Sequence, residues 1–510
     1  MYSLSFAEVQ QLLKKEGLFR EIVQGGNWHY TLSDSESVPS DFTHITYDSK
    51  DVQPDTLFFC KGATFKEAYL LEAVRQGAAC YVSETIYEEA DVPGIIVSDI
   101  RKSMALIARE FYGHPQEKLR MVGITGTKGK TTTTYFVKSI LDHAYPKQNA
   151  IISTINTSLD GKTSIKSKLT TPESLDLYRM LAEAAANGMR NLVMEVSSQA
   201  YKLDRVYGLR FDVGVFLNIS PDHIGPSEHP TLEDYLFCKR QLLAHSDKVV
   251  LFNETKHFPL LHEQAADQSS EVIVYGKDHP GTDYFIEAVA KDAVTLTVNS
   301  HTGDALNISG DYSIKLLGDF NKDNALAALI IGALLGASQE DAREGLKEAV
   351  VPGRMETFIQ PNGSPVYVDY AHNYISLKKL LEYVKSETPD GKLFVVLGAP
   401  GGKGLSRRKD FGKVLSSIGD VVVLTSDDPD LENPADIAKE IASYIEGTID
   451  VTFIEDRKEA IHHALSSAGP KDAVVLAGKG DDRYQITKGK RIPYQGDNAI
   501  VKAFIQQTEK

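Results

Sequence analysis

The chain has 510 residues, 42% of them hydrophobic and 25% charged, and carries a formal net charge of −15. That describes a globular protein of about two to four domains, and its acidity argues against a general nucleic-acid binder and against anionic membrane surfaces. An acidic protein that handles an anionic substrate must gather its lysines and arginines locally, so basic residues inside motifs carry extra weight.

The first segment, residues 1–116, alternates short strands (Leu57–Cys60, Cys80–Val82, Ile95–Val97) with helical stretches and ends at the turn-like Gly113-His114-Pro115. Met1 to Ser5 shows no basic, apolar leader, so no signal peptide is expected. Cys60, Cys80 and Cys238 form no CxxC pair, which predicts neither a disulfide frame nor a zinc site and suits a reduced cytoplasm.

The second segment, residues 117–350, opens on the apolar strand around Met121, Val122 and Ile124. Residues 123–134 then read Gly-Ile-Thr-Gly-Thr-Lys-Gly-Lys-Thr-Thr-Thr-Thr. Phe136, Val137, Ile140 and Leu141 follow at helical spacing. Strand, glycine loop and helix make a phosphate cradle of Gly126, Thr127, Lys128 and Gly129, completed by Lys130, Thr131 and Thr132. Lys130 can reach the β/γ-phosphates of ATP, and the Thr131 hydroxyl can bind Mg²⁺. Gly123 lies six residues before Gly129, one more than in the usual P-loop.

Further strands are expected at Leu192–Met194, Val213–Leu217 and Val249–Phe252, with helices between them, as in a parallel α/β sheet. Glu195 stands at the carboxyl end of the first, where such sheets place ligand-binding groups, and could share Mg²⁺ with Thr131. The alternative is a strand-end carboxylate facing water. His223 follows the second strand and could ligate metal, or could be structural. Residues 270–316 read as short β runs with turns, an antiparallel insert. The longest apolar stretch, Ala325 to Ala337, is too short to span a bilayer.

The third segment, residues 351–510, opens at Val351-Pro352-Gly353 and predicts a second doubly wound sheet from strands Val366–Val368, Phe394–Leu397, Val421–Leu424 and Val474–Leu476. Arg354 at the segment boundary suits a γ-phosphate clamp. Asp369, at a strand's carboxyl end, suits a ribose hydroxyl or a helix cap.

Motifs along the whole length resemble the Mur ligase family, the ATP-dependent amide ligases that build the peptidoglycan stem peptide. They are Asp48-Ser49-Lys50, the glycine loop, Thr170 to Ser174, Met194 to Ser198, Asn218 to His223, Tyr235-x-x-x-Lys239, Gly318 to Asn324, Pro352-Gly353-Arg354, Asp369 to His372 and Ala477 to Gly480. The six-residue glycine spacing is normal there, and the Thr-Thr-Pro and Glu-Val-Ser-Ser elements point to the branch that adds the third stem residue. The resemblance implies three α/β domains: an N-terminal UDP-substrate domain, a central ATPase domain with a parallel sheet and small β insert, and a Rossmann-like C-terminal amino-acid domain.

It also implies roles. Lys130, Glu195, His223, Lys239 and Arg354 would be catalytic, with Lys239 carbamylated by CO₂ and holding a second Mg²⁺ with His223. On its own Lys239 reads as an exposed helix residue. Asn321, Asn324 and Asp369 would join the ATP site, and Ser49, Thr170, Thr171, Ser197 and Arg205 would contact the UDP-sugar-peptide. Asp427, Asp428, Asp430, Gly478 and Asp482 would receive the incoming amino acid. Diaminopimelate-adding members carry Asp-Asn-Pro-Arg where this chain has Asp427-Asp428-Pro429-Asp430. An acidic residue in place of that arginine repels a distal carboxylate and attracts a distal ammonium. L-Lysine is therefore the expected amino acid and UDP-N-acetylmuramoyl-L-alanyl-D-glutamate its acceptor, in a cytoplasmic monomer with no membrane insertion. Ornithine or meso-diaminopimelate stays open, as does a folylpolyglutamate synthase-like ligase, an NTPase motor, or a silent binding protein. Lys403, Arg407 and Arg408 are alternatives for the arginine that the family carries near residue 403.

Overall fold

The computed structural model describes residues 2–31, 41–62, 64–221, 224–225, 228–269, 271–287, 294–316, 318–372, 374–402 and 405–508. They form two compact units, one of Met1–Ala288 with Val298–Gly310 and Asn324–Gly345, the other mainly Leu346–Lys510.

The first unit holds two large sheets and a two-stranded pair, Leu4–Ser5 with Asp41–Phe42. The N-terminal one runs Asn27–His29, Phe19–Gln24, Gly94–Val97, Ala78–Ser83, Thr56–Phe59, His44–Thr46. Its last four strands are mutually parallel. The larger sheet has a parallel centre ordered Asn149–Ile152, Asn191–Glu195, Arg120–Thr125, Phe211–Phe216, Ser246–Phe252. These strands are near-continuous apolar runs because helices cover both faces.

Phe136, Val137, Ile140 and Leu141 are all buried, as their spacing predicts. The largest hydrophobic cluster described in this unit spans both of its large sheets. Val9, Leu13, Ile107 and Phe111 from the N-terminal sheet's helices pack in the same cluster as Tyr178, Leu181 and Met194 of the larger sheet's layer.

The β run after residue 270 differs from the antiparallel insert expected. Glu271–Gly276 pairs parallel with Ser246–Phe252 and so extends the main sheet. Antiparallel pairing begins one strand later, between Tyr284–Ile286 and Thr295–Ser300. The parallel register is set by burial: Ile273, Val274 and Tyr275 are all inside, which a solvent-facing hairpin insert would not require.

The second unit is doubly wound. Its sheet runs Glu356–Ile359, Pro365–Asp369, Ala473–Ala477, Leu393–Leu397, Val421–Leu424, Asp450–Phe453, parallel except for the first strand. Alternate residues feed two cores. Val395, Leu397, Val422 and Val475 face one with Leu377 and Ile437. Val396, Val423, Val474 and Leu476 face the other with Ile461 and Ile500.

Candidate active site

The glycine loop joins strand Arg120–Thr125 to helix Lys130–Ala144. The segment that follows strand Phe211–Phe216 clasps it. Asn218 accepts from the Lys128 N–H at 2.9 Å and donates to the Lys128 carbonyl at 3.0 Å. Thr127 donates its N–H to the Asn218 carbonyl, and its hydroxyl accepts from the Ser220 N–H. Lys130 Nζ donates to the carbonyls of Gly126 and Thr127 at 2.7 and 3.2 Å. Gly129 has φ +89°, and a Cβ there would stand 2.4 Å from Asn324 Oδ1. Only a glycine lets helix Asp319–Leu334 bring Asn324 against the loop. Asn321 is buried in the first turn of the same helix.

Glu195 ends strand Asn191–Glu195 and is fully buried. Thr131 Oγ1 donates to its Oε1 at 2.8 Å. Thr154 donates its N–H at 2.8 Å and its hydroxyl at 2.9 Å, one to each carboxylate oxygen. The reading of Glu195 as a solvated strand end therefore gives way to a buried, hydrogen-bonded carboxylate beside the loop. Thr131 and Glu195 are hard oxygen donors within contact of one another, which fits Mg²⁺. Thr154 was not visible as functional in the sequence. Its signal is position, just past the carboxyl end of the parallel strand Asn149–Ile152.

Lys239, which reads alone as exposed, is buried on helix Leu232–Ala244. Its Nζ donates to the Gly126 carbonyl at 2.8 Å and lies 4.8 Å from the Tyr235 ring centroid. A buried amine in contact with the phosphate loop is suited to modification that changes its charge. His223 lies outside the described residues.

The expected UDP-substrate residues surround the same strand end. Thr171 Oγ1 donates to the Glu195 carbonyl at 2.9 Å and lies 3.3 Å from Ser197 Oγ. Thr170 Oγ1 is 3.0 Å from Thr154 Oγ1. Arg205 donates to Glu173 at 3.0 Å and to the Thr171 carbonyl at 3.3 Å. Lys61 and Arg101 also reach Glu173, at 2.6 and 3.4 Å. Burial opposes ionisation of Glu173, but these three cations outweigh it and hold its carboxyl below the usual range. Three cations around one anion give this acidic protein a locally positive patch. Ser49 lies half-buried in the turn after strand His44–Thr46. The nearby Tyr47 hydroxyl donates to Asp176 of the larger sheet's layer at 2.5 Å.

In the second unit the expected residues again gather at strand carboxyl ends. Arg354 lies 4.8 Å from the Tyr370 ring. Burial pushes the Asp369 carboxyl up against the pull of Arg354, and its Oδ2 accepts from the Met355 N–H at 2.8 Å. Gly353, with φ +68°, packs so closely on the next loop that a Cβ would fall 2.4 Å from Asp481 N. Asp427, Asp428 and Asp482 converge on the buried Lys479, at 3.5, 2.7 and 3.6 Å. Three carboxylates against one ammonium leave a negative balance that suits a cationic substrate. Burial raises Asp427, with Lys479 opposing. Gly478 donates its N–H to the Asp369 carbonyl at 3.1 Å, closing this loop onto the sheet.

Asp430 stands apart. Its backbone is left-handed, φ +52°, and its carboxylate accepts from the Gly489 N–H at 2.8 Å, bracing the hairpin Tyr484–Thr487/Lys490–Pro493. Arg408 is buried and engaged by Glu432 at 2.9 Å and Glu440 at 2.6 Å. Its charge is already compensated. Arg407 is half-buried on the same helix, and Lys403 lies outside the described residues.

Comparison with known proteins fits this geometry. Residues 124–332 match the Mur ligase middle domain, and residues 353–480 match the Mur ligase glutamate ligase domain. A curated relative from Enterococcus faecalis, UDP-N-acetylmuramoyl-L-alanyl-D-glutamate--L-lysine ligase, is 53% identical over 99% of this chain and 99% of its own. Among solved structures, a UDP-N-acetylmuramoyl-L-alanyl-D-glutamate--2,6-diaminopimelate ligase superposes with a TM-score of 0.67 at 24% identity, covering 100% of both chains. The MurF ligase of Thermotoga maritima in complex with ADP superposes at 0.58 with 18% identity, covering 91% of this chain and 98% of that one. With both domains matched and a relative this similar along its whole length, the chain belongs to the Mur ligase family of ATP-dependent amide ligases.

Proposed function

We infer that this chain joins L-lysine to UDP-N-acetylmuramoyl-L-alanyl-D-glutamate, with ATP as the energy source. The observation that carries the reading is the full-length relation to a lysine ligase at 53% identity. The negative balance around Lys479 supports it, because a cationic amino acid is favoured there. An ornithine- or diaminopimelate-adding enzyme, or a folylpolyglutamate synthase-like ligase, fits these observations less well. The reading divides the chain near residues 117 and 351 into UDP-substrate, ATP and amino-acid domains. It places a monomer in the cytoplasm, consistent with three free, buried cysteines. Among the described residues, no helix is long and apolar enough to cross a membrane.

The substrate carboxylate is a poor electrophile. Its oxygen attacks the γ-phosphorus of ATP, the bond to ADP breaks, and an acyl phosphate forms. Lys130 turns from its own loop carbonyls to the phosphates and neutralises charge on the transferring oxygens. By the family resemblance, Arg354 would supply a second cation. Thr131 and Glu195 would hold Mg²⁺, and Lys239 as a carbamate, with His223, would hold a second ion. Bound there, the ions supply Lewis-acid neutralisation of the phosphoryl group. The amine nitrogen of lysine then attacks the acyl carbon, phosphate leaves, and the amine gives up a proton. Asp482 and its neighbours orient that amine.

The test is phosphate release with the UDP-dipeptide and each amino acid supplied in turn. Lysine should drive it with a kcat/KM well above diaminopimelate. Phosphate released at full rate from ATP alone would remove the ligase reading.

A further inference from the structure

His229 belongs to none of the expected site residues, yet it is completely buried and both of its ring nitrogens are bonded. Nδ1 lies 2.6 Å from Asp234 Oδ2, and Nε2 lies 2.8 Å from Ser198 Oγ. A carboxylate only accepts, so Nδ1 carries the proton toward Asp234. In the neutral ring Nε2 is then the acceptor, and the Ser198 hydroxyl must donate to it. The ring is further fixed by Tyr235, edge-on at 5.1 Å and 65°. Tyr235 in turn donates its hydroxyl to Thr127 Oγ1 of the phosphate loop at 3.3 Å. Asp234 is held by Lys202 at 2.7 Å, at the far end of the short helix Ser198–Lys202.

Three parts of the site meet at this imidazole. Ser198 follows directly on Ser197, whose backbone N–H donates to Thr171 Oγ1 at 3.0 Å. Asp234 and Tyr235 lie on the helix that carries Lys239. His229 itself accepts the Gly225 N–H at its carbonyl, 2.8 Å.

We propose that His229 is a positioning residue for the UDP-substrate: through the Ser198 hydroxyl it fixes the Ser197–Ser198 segment against Thr171. The arrangement resembles the orientation of an imidazole by a carboxylate in hydrolases. Here Ser198 is buried, so no nucleophile is exposed, and the arrangement yields a fixed hydroxyl. The proposal deepens the ligase reading and rests on it.

His229→Asn keeps a donor toward Asp234 and removes the acceptor for Ser198. It should raise KM for the UDP-dipeptide about tenfold, the scale of one buried hydrogen bond, with KM for ATP within about twofold of wild type. Ser198→Ala should produce the same split. The double variant should be no worse than either single one, because both remove one interaction. His229→Gln, whose amide oxygen can reach Ser198, should recover part of the loss. Melting temperatures measured alongside separate unfolding from misplacement. If His229→Asn fails to fold, Ser198→Ala decides the matter alone, and an unchanged KM for the UDP-dipeptide overturns the proposal. Multiplying losses in the double variant, or KM for ATP rising in step, also overturn it. Wild-type enzyme that releases no lysine-dependent phosphate would remove the ligase reading, and this inference with it.

Discussion

Lys130 and Lys239 both donate to the Gly126 carbonyl, yet different chemistry is asked of each. For Lys130 the proposed role is charge neutralisation in the transition state. Lys130→Ala should lower kcat at least ~100-fold, measured at saturating ATP. The carbamate proposed for Lys239 predicts that Lys239→Ala loses most activity and regains some with added formate or another small carboxylate. Full activity in that variant would remove the role. Thr154 offers a prediction that the motif alone did not. Thr154→Val deletes the hydroxyl bonded to Glu195 Oε2 while leaving its backbone N–H in place. A hydrogen bond to a charged group is worth about 1.5–3 kcal/mol, so kcat/KM for Mg-ATP should fall roughly 10- to 100-fold, and equal rates would show that Glu195 does not need the contact.

At the scale of elements, the P-loop helix Lys130–Ala144 is gripped at Ile140. A Cβ on Gly345 would stand 2.5 Å from the Ile140 Cα, backbone that cannot move aside, and one on Gly332 would meet the Ile140 Cγ2 at 2.8 Å. Gly345→Ala should cost about 2 kcal/mol or more by overpacking, a fall in Tm of roughly 4–8 °C. A melting curve unchanged within a degree would sink that account. Strand, loop and helix around residue 123 were legible because three independent signals agree there: apolar run, glycines, helical period. The doubly wound sheet of the second unit was legible from its apolar runs alternating with helical stretches. Other features could not be read. Burial of Lys239 depends on its helix lying under the loop, and periodicity does not tell an inward lysine from an outward one. The parallel pairing of Glu271–Gly276 is a choice of partner strand, which local pattern leaves open. Asp430 reads as an acidic loop, but its left-handed backbone and its bond to Gly489 come from a hairpin about 60 residues later, invisible to local spacing.

At the scale of the whole molecule, one pH-sensitive contribution comes from the carboxylate at the centre of the Lys61, Arg101 and Arg205 cluster. Glu173 has a folded pKa below its unfolded value of 4.5. Its contribution to stability is therefore complete above that value and lost as pH falls through the folded pKa. Thermal unfolding between about pH 6 and pH 3 should show the loss, and Glu173→Gln should flatten it at the acid end. The core described for the first unit carries a different lesson, about modularity. Residues 1–116 share one hydrophobic cluster with the larger sheet's layer, while the second unit buries its apolar surface in cores of its own. If the second unit selects the amino acid as proposed, a chimera carrying a relative's second unit should take that relative's amino-acid preference. The front segment cannot be cut away at residue 117 without baring Ile107 and Phe111 to solvent. A fragment beginning near residue 353 should express as a cooperatively folding protein. A fragment ending near 116 should aggregate, and inheritance in this lineage should have moved the first two sheets together.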